Sequence, residues 1–310
     1  MKLNRRDFGK LALAAAAVPA NSLLAAGKPN SVYGGVQMGV ITYSFRDMPE
    51  AHSSAEKMLQ YIVDSGSSGI ELMADVAEAY AGSPGRAAGA QGLKDWRLSV
   101  KMDKYKDFRK MYNDAGVTIY AFKLEPMPTM SDDEINYIFN VGSALGATHV
   151  TRELYTNTKD PKNPFTDMDF TQRCADIALK HGMVTAYHTH EITSITAWDA
   201  VLAQSKGNAV NMDTGHYFAG TGESPLPAIE KLHDRIASIH LKDRGKGGGL
   251  QAPNLPWGQS ETPIVEILQL MKTKGYKFPA SVELEYAVPP GSDSVIEVKK
   301  CIEYARKALA

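Results

Sequence analysis

Ala209-Val210-Asn211-Met212-Asp213-Thr214-Gly215-His216 decides the fold of this 310-residue chain, because its arrangement recurs on either side of it. An apolar run ends in a side chain of the metal-ligand type, and a helical pattern follows. His188 ends VTAYH (184–188), His240 ends IASIH (236–240) and Glu283 lies in PASVELE (279–285). Each run reads as a short buried strand. One ligand-type side chain at the C-terminal end of each of four consecutive strands is what a divalent metal in the mouth of a (β/α)8 barrel requires.

Working outward, the same alternation covers the rest of the chain. Strands are predicted at 38–45, 69–73, 117–123, 149–154, 184–190, 209–213, 237–242 and 280–286. Helical stretches lie near 52–65, 101–115, 132–144, 169–182, 195–205, 225–232, 262–274 and 293–309. Ser131-Asp132-Asp133-Glu134 is a capping-box start. Gly116, Gly182 and Gly275 each end a helix just before a strand. Eight β-then-α units argue for a closed parallel α/β barrel. An open doubly wound sheet would need a Gly-rich phosphate loop after its first strand, and ITYSFRDM (41–48) offers none. Two Gly-rich insertions, 77–96 and 243–261, each follow a strand and are expected as loops over the catalytic face.

The N-terminus reads differently. Asn4-Arg5-Arg6-Asp7-Phe8-Gly9-Lys10 precedes a short Ala-rich apolar stretch and small residues near a cut site. That reads as a signal peptide resembling the twin-arginine type, with a plain Sec signal as the alternative, and it is too short to span a membrane permanently. Residues 1–27 are therefore expected to be removed and 28–310 to form one domain in the periplasm, with no membrane attachment after cleavage. Cys174 and Cys301 fall in helices on opposite sides of a barrel and are expected as buried, unbridged residues. At 44% hydrophobic, 22% charged and a net charge of −1, the chain has no electrostatic footprint for nucleic acid. A homo-oligomer is compatible with this composition.

Several strand-end residues carry the candidate chemistry. Asp213 presents a carboxylate, and Thr214-Gly215 permits a tight turn that brings His216 to the same mouth; an Asp that merely caps the next helix would leave the same signature. His240 is followed by Lys242 and Asp243. Glu283 and Glu285 share one parity of the last strand, and two inward acids need a cation to neutralise them. His188 and His190 share a parity as well.

Gly69-Ile70-Glu71-Leu72, Tyr187-His188-Thr189-His190, Met212-Asp213-Thr214-Gly215-His216, His240-Leu241-Lys242-Asp243 and Ser281-Val282-Glu283-Leu284-Glu285, in this order, resemble the sugar phosphate isomerase/epimerase family. This is the xylose isomerase-like TIM-barrel group that also includes endonuclease IV, tagatose and psicose 3-epimerases and inosose-processing enzymes. The resemblance implies one divalent metal ion (Mn2+, Mg2+, Co2+ or Zn2+) held by a Glu, an Asp, a His and a Glu from strands five to eight. Asp213, His240 and Glu283 match that pattern; His188 stands where the family keeps its strand-five Glu. Metal ligands are thus expected to be His188, Asp213, His240 and Glu283. Glu283 and Glu153 are the acid/base candidates, although an ion pair of Glu153 with Arg152 or Lys123 is the plain alternative. Lys242 is the expected electrophile, and His216, Lys123, Glu71 and His190 are the expected substrate contacts.

The chemistry implied is proton abstraction next to a carbonyl of a non-phosphorylated keto-sugar or cyclitol, through an enediolate. No phosphate-binding loop is visible, so a sugar phosphate is not expected. The alternatives are lyase or hydrolase action on 3-keto-glycosides, inosose dehydration, or a non-catalytic sugar-binding barrel. Export and the lack of a basic groove argue against a DNA-repair role.

Overall fold

The computed structural model describes residues 27–154, 167–190 and 194–310, the side chain of Leu250 excepted. The export signal read in residues 1–27 lies, apart from Gly27, outside the described residues. Eight parallel strands follow in chain order: β1 (Val36–Ile41), β2 (Gly69–Met73), β3 (Thr118–Lys123), β4 (His149–Glu153), β5 (Val184–His188), β6 (Asn208–Asp213), β7 (Ile236–Leu241) and β8 (Ala280–Val282). Each pairs with the next, and β8 returns to β1 with Ala280 opposite Met38 and Val282 opposite Val40, so the sheet closes.

The helices are α1 (Ala55–Ser65), α2 (Ala74–Tyr80), α3 (Gly89–Ser99), α4 (Asp103–Asp114), α5 (Asp132–Leu145), α6 (Met168–Lys180), α7 (Asp199–Gln204), α8 (Thr214–Thr221), α9 (Leu226–Leu232), α10 (Ile264–Lys274) and α11 (Ser294–Ala308). Local chemistry starts several of them. Ser54, Asp167 and Asp293 each accept a backbone N–H at the head of their helices, and Ser131 with Glu134 completes the reciprocal capping box. Met38, Val40, Leu72, Phe122, Val150, Val210, Met212, Ile239, Leu241 and Val282 are fully buried in the main hydrophobic core. Among the described residues no helix is long and apolar enough to cross a membrane.

Three expectations are corrected. The insertion at 77–96 is mostly helical, contributing the end of α2 and much of α3. The segment 214–221 forms α8, because Asp213 caps it. The first and last strands stop early: β1 passes into a 3-10 turn at Thr42–Phe45, and β8 ends at Val282. Ser44 ties these two ends together, its hydroxyl donating to Val282 O (3.3 Å) and accepting from Leu284 N (3.0 Å). Cys174 and Cys301 sit buried and unbridged in α6 and α11, where burial pushes both thiols up to about 12.

The inside of the barrel is polar, where branched aliphatics usually fill it. Tyr120 meets Ser281 at 2.5 Å, His149 Nε2 meets Ser238 at 2.9 Å, and Asn211 donates to Ser238 at 2.7 Å. Thr151 donates to Glu71 at 2.6 Å. Buried polar groups persist when each finds a partner, and these do. Gly39 makes room for them: a Cβ there would lie 2.3 Å from the Tyr120 hydroxyl.

Burial holds His149 down at about 4, with Glu71 opposing and His240 reinforcing the shift. The folded protein thus binds the proton less well than the unfolded chain, whose His titrates near 6.5. Stability from this group is present above pH 6.5 and is lost as pH falls towards 4, on the order of 3 kcal/mol in full. Chemical denaturation between pH 7 and 4.5 should show this loss, and His149→Gln should flatten the slope within that window.

Candidate active site

Four strand ends deliver the ligand-type residues to one place. His188 closes β5, Asp213 closes β6, His240 is the penultimate residue of β7 and Glu283 directly follows β8. All four are buried, and one ligand atom from each lies within 4.8 Å of the others. Two ligands each about 2 Å from a common ion sit up to about 4 Å apart, so the cluster needs little contraction to close on one ion.

The donors are prepared for such an ion. His188 Nδ1 lies 2.7 Å from Asn211 Oδ1, which only accepts, so the proton sits on Nδ1 and Nε2 keeps its lone pair. Burial pushes His188 down to about 3, making it a neutral imidazole. Asp213 divides its oxygens: Oδ1 accepts the His216 N–H (2.7 Å) at the head of α8, while Oδ2 is buried without an aligned hydrogen bond. Capping and ligation are therefore compatible uses of one carboxylate. His240 bridges two acids, Nε2 to Glu71 and Nδ1 to Glu283, both at 2.7 Å. Burial alone would lower His240, but Glu71 and Glu283 outweigh it and raise it to about 10. Burial likewise opposes ionisation of Glu71, yet His240 takes it down to about 2.

Lys242 lies against the same acids, with Nζ 2.7 Å from Glu285, 3.0 Å from Glu283 and 3.0 Å from Asp213. Burial is again outweighed, here by Asp213, Glu283 and Glu285, so the ammonium is held charged. Glu71, Asp213, Glu283 and Glu285 thus face His240 and Lys242, four carboxylates against two cations in direct contact. Ligation by His240 requires its Nδ1 to give up the proton it shares with Glu283, which leaves four carboxylates facing Lys242 and an excess of negative charge that a divalent cation would offset. Asp213 registers it: burial first, with Glu283 adding to it, pushes the acid up to about 6 against the pull of Lys242. The donor set and its charge both fit a divalent metal.

A second group adjoins the first. Glu153 accepts from Lys123 Nζ at 2.6 Å through Oε1 and from His190 Nδ1 at 2.7 Å through Oε2. Burial would raise Glu153, but the direct contacts with His190 and Lys123 hold it far below the ordinary carboxylate range. The His190 ring centroid is 4.9 Å from that of His188 and 4.5 Å from that of His216. His188, His190 and His216 also bring ligand atoms within 4.8 Å of one another, so His188 belongs to both groups.

With this geometry in hand, comparison with known proteins is direct. A model of the family described as Xylose isomerase-like TIM barrel matches residues 59–305. The chain belongs to this family. A 95-residue segment is 33% identical to the inosose dehydratase of Lacticaseibacillus casei; it covers 27% of this chain and only 32% of that enzyme. Among solved structures, the IOLI protein with a zinc atom superimposes with a TM-score of 0.64 at 14% identity, covering 89% of this chain and 99% of that one. The 3-keto-D-glucoside 4-epimerase YcjR from E. coli gives 0.61 at 12% identity, covering 88% and 99%. At these identities the structural likeness speaks for the fold.

Within the family fold, Glu71 is placed beneath the site and not at its mouth. It is fully buried, and its oxygens are taken by Thr151 (2.6 Å), Asn211 (3.3 Å) and His240. A place among expected substrate contacts is thereby corrected to that of a residue orienting His240. Glu153 is ion-paired with Lys123, whereas Arg152 donates to Pro126 O and covers the Phe170 ring. Gly215 is set by close approach rather than by a turn: its φ is not positive, and a Cβ would meet Lys242 Cγ at 2.3 Å. Asp243 closes the 243–261 insertion, accepting from the backbone N–H groups of Gly258, Gln259 and Ser260.

Two residues that matter were not singled out by reading the sequence. Asn211 sets the tautomer of His188; its parity with Asp213 in β6 was the available signal. Arg244 lies 2.6 Å from His216 Nδ1 and binds the insertion through Ala252 O, a partnership no spacing reveals.

Elemental mass spectrometry of the purified protein should find about one equivalent of divalent metal, as one such site holds one ion. Asp213→Ala and Glu283→Ala should lose it. Glu71→Gln should retain the ligands yet bind metal about 10–100-fold more weakly, as loss of a carboxylate behind a ligating His does.

Proposed function

We propose that the chain is a divalent-metal-dependent isomerase or epimerase of a non-phosphorylated keto-sugar or cyclitol, exported to the periplasm by the twin-arginine signal read in residues 1–27. The observation that carries the reading is the buried His188, Asp213, His240 and Glu283 quartet with its uncompensated negative charge. When bound there, a divalent ion would supply Lewis-acid stabilisation of negative charge developing on the substrate oxygens.

The protein groups do the rest. Lys242, held charged, is the proposed electrophile: it would exchange one of its three carboxylate partners for a substrate oxygen and stabilise the enediolate as the proton leaves. Glu153 fixes the proton of His190 on Nδ1, leaving its Nε2 to exchange a proton with the carbon next to the carbonyl. The Glu153–His190 pair, after β4 and β5, and Glu283, after β8, are the two acid/base candidates, carried by different strands of the ring. Two acid/base groups are what epimerisation needs. His216, against Lys242, and Lys123, against Glu153, are the proposed substrate contacts.

Elimination is the second reading. The same enediolate can expel a β-substituent, as a lyase on a keto-glycoside or a dehydratase on an inosose would require. It is favoured by His188 in place of the family's strand-five glutamate and by the segment shared with an inosose dehydratase. Incubation of the metal-loaded protein with keto-sugars, keto-glycosides and inososes in D2O separates the readings. Solvent deuterium in recovered sugar supports isomerisation or epimerisation, and a released leaving group or water loss supports elimination. Glu153→Gln should lower either rate by about 10²–10⁴-fold. A wild-type protein that binds metal and sugar but yields neither product would leave only a sugar-binding barrel.

A further inference from the structure

Beside the reaction cluster lies a cavity of about 480 Å³ that none of the quartet, Lys242, His216 or Glu285 lines. It falls within the roughly 300–1,000 Å³ typical of small-molecule sites. Lys123 is its boundary with the reaction cluster: Nζ binds Glu153, whose other oxygen holds His190, while the same lysine lines the cavity. The floor belongs to the ends of β2 and β3, and the far wall to the helical insertion that follows β2.

We propose that this cavity is a subsite for a second sugar ring, so that the substrate is a glycoside or disaccharide whose reacting ring lies over the metal ligands. The inference rests on the keto-sugar reading of the neighbouring site and names its substrate class more closely. Three features carry it.

First, the lining has no net charge beside His52. Asp75, Glu78 and Glu125 are balanced by Arg86, Arg97 and Lys123, so neither a phosphate nor an ammonium group is selected, whereas a ring bearing hydroxyls finds donors and acceptors of both kinds. Second, apolar surface from Met73, Leu93 and Leu124 is interleaved with those charges, matching the apolar faces and polar rim of a pyranose. Third, the wall is built. Arg97 forms a two-pronged pair with Glu78 at 2.8 and 2.9 Å, and Glu78 also accepts from the Tyr137 hydroxyl at 2.9 Å. Arg86, exposed on the rim, has no ion pair among the described residues, and so its guanidinium is available to a ligand.

Calorimetry with glucose and with cellobiose, maltose and trehalose tests the subsite without any turnover. In the wild-type protein at least one disaccharide should bind about tenfold or more tightly than glucose, the size of one or two added hydrogen bonds to charged groups. Ala79→Phe, which fills the cavity from α2, should abolish that advantage and leave glucose affinity within about twofold, the remaining contacts being untouched. Arg86→Ala, at an exposed position that carries no folding load, should narrow it and decides the matter if Ala79→Phe lowers the melting temperature. Equal affinity for glucose and every disaccharide, no disaccharide binding, or an advantage that survives a correctly folded Ala79→Phe would overturn the proposal. Failure of the keto-sugar chemistry would appear separately, as absent deuterium incorporation and absent elimination alongside intact disaccharide binding.

Discussion

Negative charge without water is the constraint on which the upper half of this barrel depends. Glu71, Asp213 and Glu283 are buried at or just below the strand ends, and Glu285 is close beside them. Moving a carboxylate out of water costs several kcal/mol unless it is paired and hydrogen-bonded. Every neighbouring feature answers that cost. His240 is clamped between two acids, Lys242 among three, and Asp213 gives one oxygen to the head of α8, where the backbone N–H groups and the helix dipole favour an anion. What those partners leave uncompensated is the attraction for a divalent ion.

The polar barrel interior explains why the ligands are held in one state each. Asn211 donates to Ser238 and Glu71 while accepting from His188, so a single amide connects the tautomer of the strand-five histidine to the acid that orients the strand-seven histidine. A hydrocarbon interior would pack as densely but could not fix a proton on a chosen nitrogen. The price is paid in pH tolerance, since a neutral buried imidazole such as His149 is one that protonation disrupts.

The insertions divide the mouth between two tasks. The 243–261 segment is stitched down by Asp243 and Arg244, and through Arg244 it supports His216 from behind. The 77–96 segment instead folds into helices that stand away from the reaction cluster and leave a cavity between. Family membership supplies the barrel and its strand-end positions; the two insertions are built on top of that frame.

Much of this was legible in the residues alone. Apolar runs of strand length, helix-capping serines and C-terminal glycines are local signals, and eight repeats of them determine a closed barrel. Parity along β5 to β8 likewise brings His188, Asp213, His240 and Glu283 to one mouth, because side chains alternate faces with a period of two. Partnerships across the ring were not legible. That Glu71 lies under His240, that Arg244 backs His216, and that Gly215 is small because Lys242 passes over it all depend on strands and loops far apart in sequence meeting at set heights. The sequence by itself determined which residue types stand at the strand ends. Only the closed tertiary structure decided which of them touch, since barrel closure and stagger, not local pattern, set the distances through which charge and hydrogen bonds act.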